Sequence, residues 1–169
     1  HAVRFILGLL KLFVSPDDTV QKTIVKFEFA RAGMGMSDNE ALNFCFSGEQ
    51  SETGLDALFG IEKYRELMKL RNSSLFEMSE KMIALFGVGQ WPDEAVFVQA
   101  FQDVVYKFTT SRTADLYSFL KWWDKNGEKQ CIATPDQQNA FRVMTIHKSK
   151  GLDFKVVVIP FCDSDFEKS

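Results

Sequence analysis

The sequence contains few of the residues that build disulfides and metal sites. Its 169 residues include no CxxC pair, and its cysteines and histidines are Cys45, Cys131, Cys162, His1 and His147. Residues scattered in this way lack metal-ligand spacing, so the sequence predicts no metal site. An odd number of cysteines without a disulfide framework favours a reducing compartment, and we expect a cytoplasmic protein.

Long apolar runs are missing as well. No run approaches the roughly 18–20 residues that a membrane-spanning helix needs, so we expect no membrane partner. The apolar N-terminal stretch is interrupted by Lys11 and lacks a small-residue cleavage site, which argues against a secretory signal. A net charge of −3 gives no general attraction to nucleic acid. Any such binding has to come from a local patch.

What the sequence does contain is bulky apolar residues at helical spacing. Hydrophobic residues make up 46% of the chain, including 17 Phe, which is enough to build a core. Residues 2–14 carry one broad apolar stripe. Ser15 is the expected N-cap of the next helix, with Pro16 as its first residue. Ser74 and Glu77 form a capping-box signature.

The same periodicity predicts further helices up to residue 126. Pro92 and the two acids after it precede a long helix. The remaining helices are expected near Asn39–Phe46, from Ile61 to Asn72, and from Thr113 to Asn126.

Beyond Gly127 the composition becomes that of strands. Residues 140–146 and 154–159 are enriched in β-branched side chains. We therefore predict a mainly α fold, with a helical body over residues 1–126 and a short C-terminal β element within residues 127–169.

The two predicted strands enclose a polar loop whose groups suit phosphate oxygens. Hydroxyl, imidazole and ammonium groups donate hydrogen bonds or charge to phosphate. Gly151 lets a backbone approach a ligand closely, and Asp153 can accept hydrogen bonds from sugar hydroxyls. The phosphate-binding side chains are those of Thr145, His147, Lys148, Ser149 and Lys150. Composition alone favours the simpler interpretation, a solvated turn between strands.

The order of residues in this loop resembles motif V of the superfamily 1 DNA helicases of UvrD/Rep/RecB type. Residues 144–154 read Met-Thr-Ile-His-Lys-Ser-Lys-Gly-Leu-Asp-Phe, and an apolar run follows at 156–159. The family pattern is Met-Thr-(Ile/Leu)-His-x-(Ser/Ala)-Lys-Gly-Leu-Glu-(Phe/Trp) before an apolar strand. Asp153 departs from it, because the family has Glu at that position.

Weaker resemblances extend upstream. Residues 118–124 resemble a helix that precedes motif V in the AddA/RecB branch, and residues 6–18 resemble the segment that opens the insert between motifs IV and V. The resemblance implies that residues 1–126 are a helical 2B-like subdomain. Residues 127–169 are then the returning edge of the second RecA-like domain, 2A, and the chain is a fragment of a longer protein.

The resemblance also implies roles for the loop residues. Thr145 and His147 stand where the family contacts single-stranded DNA, and we assign Lys148 and Lys150 to DNA as well. Gly151 and Asp153 stand on the nucleotide side. Asp153 is one methylene shorter than Glu, which leaves its contact with the ribose open. No catalytic residue is assigned.

The parent protein implied in this way is an ATP-dependent DNA helicase, or one component of a helicase–nuclease complex, in DNA repair and recombination. Its cofactors are ATP and Mg²⁺, and its partners are single-stranded and duplex DNA and a second component of such a complex. This sequence contains no G-x-x-x-x-G-K-[ST] loop, so we expect the chain alone to bind no cofactor and to hydrolyse no ATP. The alternative is a non-catalytic helical module that binds other proteins.

Two other features have competing interpretations. Trp122 and Trp123 could stack on bases, although core packing of one, with the other partly exposed, is favoured. The other feature is a basic cluster that could contact duplex phosphate, although a solvated helix face is favoured. Its members are Lys63, Arg65, Lys69 and Arg71.

Overall fold

A computed structural model describes most of the chain, namely residues 1–46, 54–111, 115–127, 130 and 145–159. The chain divides into two compact units, His1–Ala133 and Thr134–Ser169. The described part of the first unit is helical, and the second contains a single short helix among its described residues.

Helices joined by short turns build the first unit. Their bounds are α1 Ala2–Val14, α2 Thr19–Glu28, α3 Asp38–Phe46, α4 Leu55–Phe59, α5 Ile61–Lys69, α6 Leu75–Phe86, α7 Ala95–Ser111 and α8 Leu116–Asn126. A π-helical turn follows α2 at Phe29–Gly33, and 3₁₀ turns follow α5 and α6 at Leu70–Asn72 and Val88–Gln90. The predicted mainly α fold is confirmed.

Helix α1 lies at the centre of this unit. Nine of its 13 residues are buried, and it contacts α2, α6, α7 and α8. A helix that is apolar on nearly all sides is stable only when neighbours cover all of them. Gly8 allows the closest of these approaches, because a Cβ there would lie 2.6 Å from Val25 Cγ2. The N-terminal apolar stretch is thus the core of the fold.

Aromatic rings fill the space around α1. Phe5 is fully buried, and its ring centroid lies 5.0 Å from that of Phe86 and 5.2 Å from that of Trp91. Phe29 and Phe59 complete this cluster, 5.1 Å apart. Edge-to-face pairs of this kind stabilise a core beyond the area they bury. The high Phe content therefore has a structural cause.

A second aromatic cluster joins α7 to α8. Phe119 is fully buried, with its ring centroid 5.3 Å from that of Phe108. Trp122 packs 5.4 Å from Phe108, and Trp123 packs 5.4 Å from Phe101. Both tryptophans are half-buried and pack against the core, whereas the sequence favoured one in the core and the other partly exposed.

Local capping explains where several helices begin and end. Ser74 Oγ accepts a hydrogen bond from the N–H of Glu77 at the start of α6, as predicted. Gly87 ends that helix at φ 61°, in the left-handed region. Asp115 caps α8, which begins at Leu116 rather than Thr113; residues 112–114 lie outside the described part.

The expected start of α2 was wrong. Asp18, not Ser15, is the N-cap, and its carboxylate accepts from the N–H of Gln21 at 3.0 Å. Residues 15–18 form a turn closed by the Asp18 N–H on the Ser15 carbonyl at 3.2 Å. Pro16 therefore lies in a turn, where its fixed φ is also favourable.

The predicted strand over residues 154–159 is also wrong, since the structure has no regular secondary structure there. Val156 and Val158 are 79% and 76% exposed. β-Branched composition favours a strand, but a strand forms only when another one pairs with it. Of the predicted partner, residues 140–144 lie outside the described part, and Ile146 begins helix α9, Ile146–Ser149.

Candidate nucleic-acid interface

The loop that resembles motif V forms one helical turn followed by a tight backbone turn. The Thr145 carbonyl accepts from the Ser149 N–H at 3.1 Å, and the Ser149 carbonyl accepts from the Leu152 N–H at 3.0 Å. Gly151 has φ 86°, which side-chain-bearing residues rarely adopt. The glycine is therefore required by the turn, and these bonds hold residues 145–153 in one continuous surface loop.

The predicted site residues of this loop face solvent. Thr145, His147, Lys150, Gly151 and Asp153 are all exposed. This arrangement leaves a hydroxyl, an imidazole, an ammonium and a carboxylate accessible within nine positions. Such a set can bind the phosphates and sugars of a nucleic acid without reading its sequence.

Two further residues of the loop are placed less completely. Lys148 lies within α9, and its side chain is outside the described part of the structure. Ser149 is half-buried and takes part in the backbone bonds of the helical turn. Ser149 is therefore a residue that shapes the loop.

The charge of this segment differs from that of the whole chain. Residues 145–155 contain three lysines and one aspartate, whereas the complete chain has a net charge of −3. Attraction to phosphate is local because salt screens charges beyond about 10 Å. The loop is thus a local basic patch of the kind through which an acidic chain can bind nucleic acid.

Within the described ranges, the structure contains no group of three or more His, Cys, Asp or Glu able to hold a metal ion. In the same part of the chain, no helix has the length and hydropathy needed to cross a membrane.

Sequence reasoning missed a pair of buried carboxylates at the start of α1. Glu94 Oε2 accepts from the N–H of Ala2 at 3.0 Å, and its Oε1 lies 3.1 Å from the backbone nitrogen of His1. Glu28 pairs with the His1 ring at 2.5 Å and lies 3.8 Å from the Arg4 guanidinium. Burial raises the pKa of Glu28, while Arg4 lowers it. Glu94 was visible in sequence only as an acid at the start of α7.

The basic cluster on α5 separates into two parts. Lys63 and Arg65 are exposed, and Lys69 pairs with Glu66 at 2.5 Å. These three residues fit the solvated face that the sequence favoured. Arg71 lies beyond the end of α5 and lines a groove with residues of α2.

Comparison with known proteins points to one class, the subunits of ATP-dependent helicase/nucleases. The particular relatives are the AddA subunits of three bacteria. Identity is 46% over 66 residues with the Streptococcus pyogenes serotype M49 protein, covering 36% of this chain and 5% of the relative. Identity is 35% over 86 residues with the Enterococcus faecalis protein, covering 48% of this chain and 7% of the relative. It is 29% over 76 residues with the Oceanobacillus iheyensis protein, covering 42% of this chain and 6% of the relative.

These matches are partial in both directions. Each covers less than half of this chain, and the matched segments span only 5–7% of the length of these relatives. No family model and no solved structure matches the chain. The similarity agrees with the helicase class that the order of loop residues suggests.

Proposed function

We propose that the chain is part of an ATP-dependent DNA helicase, or of one component of a helicase–nuclease complex, that acts in DNA repair and recombination. The observation that carries the proposal is the exposed basic loop at residues 145–153, which has the residue order of a helicase DNA-contacting motif. The partial similarity to AddA-type helicase/nuclease proteins supports the same class.

In this proposal the first half of the loop grips single-stranded DNA. Thr145 donates its hydroxyl and His147 its imidazole N–H to phosphate oxygens, while Lys148 and Lys150 supply charge. Contacts of this kind hold the strand without sequence preference and weaken as salt rises. A motor that moves along DNA needs that property, because it has to bind each successive step equally well.

The second half of the loop faces the nucleotide. Asp153 is exposed, and its carboxylate can accept hydrogen bonds from ribose hydroxyls. The turn at Gly151 connects this carboxylate to the DNA-contacting residues within three positions. ATP and Mg²⁺ supply the phosphoryl-transfer chemistry when they are bound elsewhere in the complete protein. The chain's own residues would connect nucleotide contact with grip on the strand.

The helical unit would serve as an accessory subdomain that contacts duplex DNA or a second protein of the complex. One observation favours the alternative, a module that binds only proteins. Val96 and Phe97 are adjacent on α7 and are 51% and 49% exposed. Exposed apolar side chains that lie next to each other are typical of protein contacts.

The test compares two ATPase rates in the complete protein. His147→Ala and Lys150→Gln should lower the DNA-stimulated rate while leaving the basal rate within about twofold, because losing one phosphate contact affects DNA binding only. Lys125→Gln, on α8, is the matched control. Equal loss of both rates would contradict the proposal, since it would assign the loop to the fold alone. Protein capture without any DNA-stimulated activity would favour the alternative.

A further inference from the structure

One side of α7 carries apolar side chains that the rest of the fold leaves uncovered. Val96 and Phe97 are 51% and 49% exposed, and two further apolar residues on this side are half-buried. Positions three or four residues apart lie on the same side of a helix. Val105, which is fully buried, lies on the opposite side and packs in the core. We call the uncovered side the α7 face, and its members are Val96, Phe97, Ala100 and Val104.

The α7 face forms one wall of a depression of about 490 Å³ on the surface of the helical unit. Val3 of α1 and Trp123 of α8 line other walls of this depression. Apolar patches on a protein surface mark contacts with other molecules. An apolar depression receives a helix that presents its own apolar side.

Opposite charges lie at the two ends of the α7 face. Asp93 precedes the face and Lys107 follows it, each seven positions from Ala100. Lys107 lies two turns beyond Ala100 on the same side of the helix, and Asp93 lies in the turn that leads into α7. Asp93 and Lys107 are exposed, and neither forms an ion pair with a residue that the structure describes.

This arrangement makes the α7 face complementary to itself. A two-fold interface uses the same surface on both copies, so that residue i contacts residue j of the second copy and j contacts i. When two α7 helices run antiparallel and cross at Ala100, Phe97 of one copy meets Val104 of the other, and Asp93 meets Lys107. Each of these contacts then occurs twice. A parallel pair would instead place like charges opposite each other at both ends, which disfavours that direction.

We propose that two copies of the chain associate through the α7 face, with their α7 helices antiparallel and crossing at Ala100. The small side chain of Ala100 allows a close approach at the crossing point, because the distance between packed helices depends on the side chains there. Burial of the apolar side chains drives association. The exposed charge pairs add little affinity but set the direction. The proposal does not rest on the proposed function, because the loop at residues 145–153 belongs to the other unit.

Sedimentation equilibrium of the chain measures this association. One helix face is a small interface of the kind found in weak complexes, so the dissociation constant is expected at about 10–100 μM. The chain should therefore be monomeric at low micromolar concentration and mostly dimeric at about 500 μM. Phe97→Ser and Val104→Ser should each weaken association about tenfold or more, because each removes two apolar contacts per dimer.

The matched control is an apolar residue of similar exposure outside the α7 face. Val157 is 64% exposed and belongs to the other unit. Val157→Ser should leave the dissociation constant unchanged. The comparison separates association through the α7 face from general adhesion of exposed apolar side chains.

Exchange of the charges tests the antiparallel direction. Lys107→Glu and Asp93→Lys should each weaken association about fivefold, because each places like charges opposite each other twice per dimer. The double variant should restore the dissociation constant of the parent chain. Lys63→Glu, on the exposed side of α5, makes the same change in net charge as Lys107→Glu and should have no effect.

Three results would overturn the proposal. A chain that stays monomeric at about 500 μM would leave the α7 face to a protein of different sequence. Equal weakening by Phe97→Ser and Val157→Ser would assign association to another surface. A double charge variant that associates no better than the single ones would exclude the antiparallel pair. Thermal unfolding verifies that each variant remains folded, as expected for exposed and half-buried residues outside the core.

Discussion

Replacement of Glu94 by alanine tests a long-range hydrogen bond at the start of the central helix. Glu94 lies just before α7, and its carboxylate accepts from the backbone N–H of Ala2 across 92 positions of sequence. Ala2 is fully buried. In the alanine variant that N–H loses its partner in a place shielded from water, where an unpaired donor is costly.

The expected loss follows from the contacts that disappear. A hydrogen bond to a charged group contributes about 1.5–3 kcal/mol. The Glu94 side chain is only 12% exposed, so solvent screens it little. Removing its charge also relieves repulsion with the buried Glu28, which opposes the loss. We expect the free energy of unfolding to fall by about 2 kcal/mol.

Urea unfolding followed by circular dichroism measures this change. Glu94→Gln keeps a neutral hydrogen-bond acceptor, and its free energy of unfolding should fall by about half as much as that of Glu94→Ala. The matched control is Glu62→Ala on the exposed face of α5, which should stay within about 0.5 kcal/mol of the parent chain. A loss in Glu94→Ala no larger than in Glu62→Ala would refute the reasoning, because the carboxylate would then hold α1 no better than solvent does.

Three further predictions concern pH, packing and chemistry. Burial raises the pKa of Glu28, so the folded chain keeps that proton to a higher pH than the unfolded chain does. The contribution is fully present below the usual glutamate pKa, and the free energy of unfolding falls as pH rises through the raised value. Glu28→Gln should flatten this fall in a urea series across pH, and an unchanged slope would contradict it. Phe5→Ala should lower the free energy of unfolding in urea by about 3–5 kcal/mol, because it leaves a cavity in the aromatic cluster. The control, Phe97→Ala at an exposed position, should lower it by less than about 0.5 kcal/mol. Similar losses in the two variants would show that Phe5 is not central to the core. The isolated chain should release no phosphate from ATP above background, with or without DNA, and turnover that survives repurification and disappears in Asp153→Ala would contradict this.

Local signals in the sequence predicted most of the helices. Helix α6 begins after Ser74 and ends before Gly87, as expected, because a serine cap and a left-handed glycine act through hydrogen bonds within a few residues. The N-cap of α2 is Asp18 and not the expected Ser15. Both residues lie in one short turn, and the N-cap is the one whose side-chain oxygen reaches an unpaired N–H of the helix. Choices of that kind are decided by geometry that composition does not contain.

Long-range features could not be predicted in the same way. The bond between Glu94 and Ala2 joins distant parts of the chain, and sequence spacing carries no signal for it. The basic residues around α5 looked equivalent in sequence, yet only Arg71 of the four lines the groove with α2. The strand expected at residues 154–159 failed for a related reason, because strand formation depends on a partner elsewhere.

The position of the site residues was easier to anticipate than their roles. The exposure of Thr145, His147, Lys150 and Asp153 follows from their polarity and from the turn that Gly151 requires. Contact with DNA or a nucleotide depends on surfaces that these residues would share with the rest of a larger protein. The assignment of those roles therefore stays a prediction.

The central position of α1 has a consequence for synthesis on the ribosome. This helix is made before the segments that cover it, and the bond from Lys11 to Asp124 spans 113 positions. At translation speeds of about 5–20 residues per second, α1 waits roughly 5–20 s for α7 and α8 to emerge. Helix α2 follows directly and can cover one side of α1 early, but the sides that α7 and α8 cover stay exposed to water during that interval.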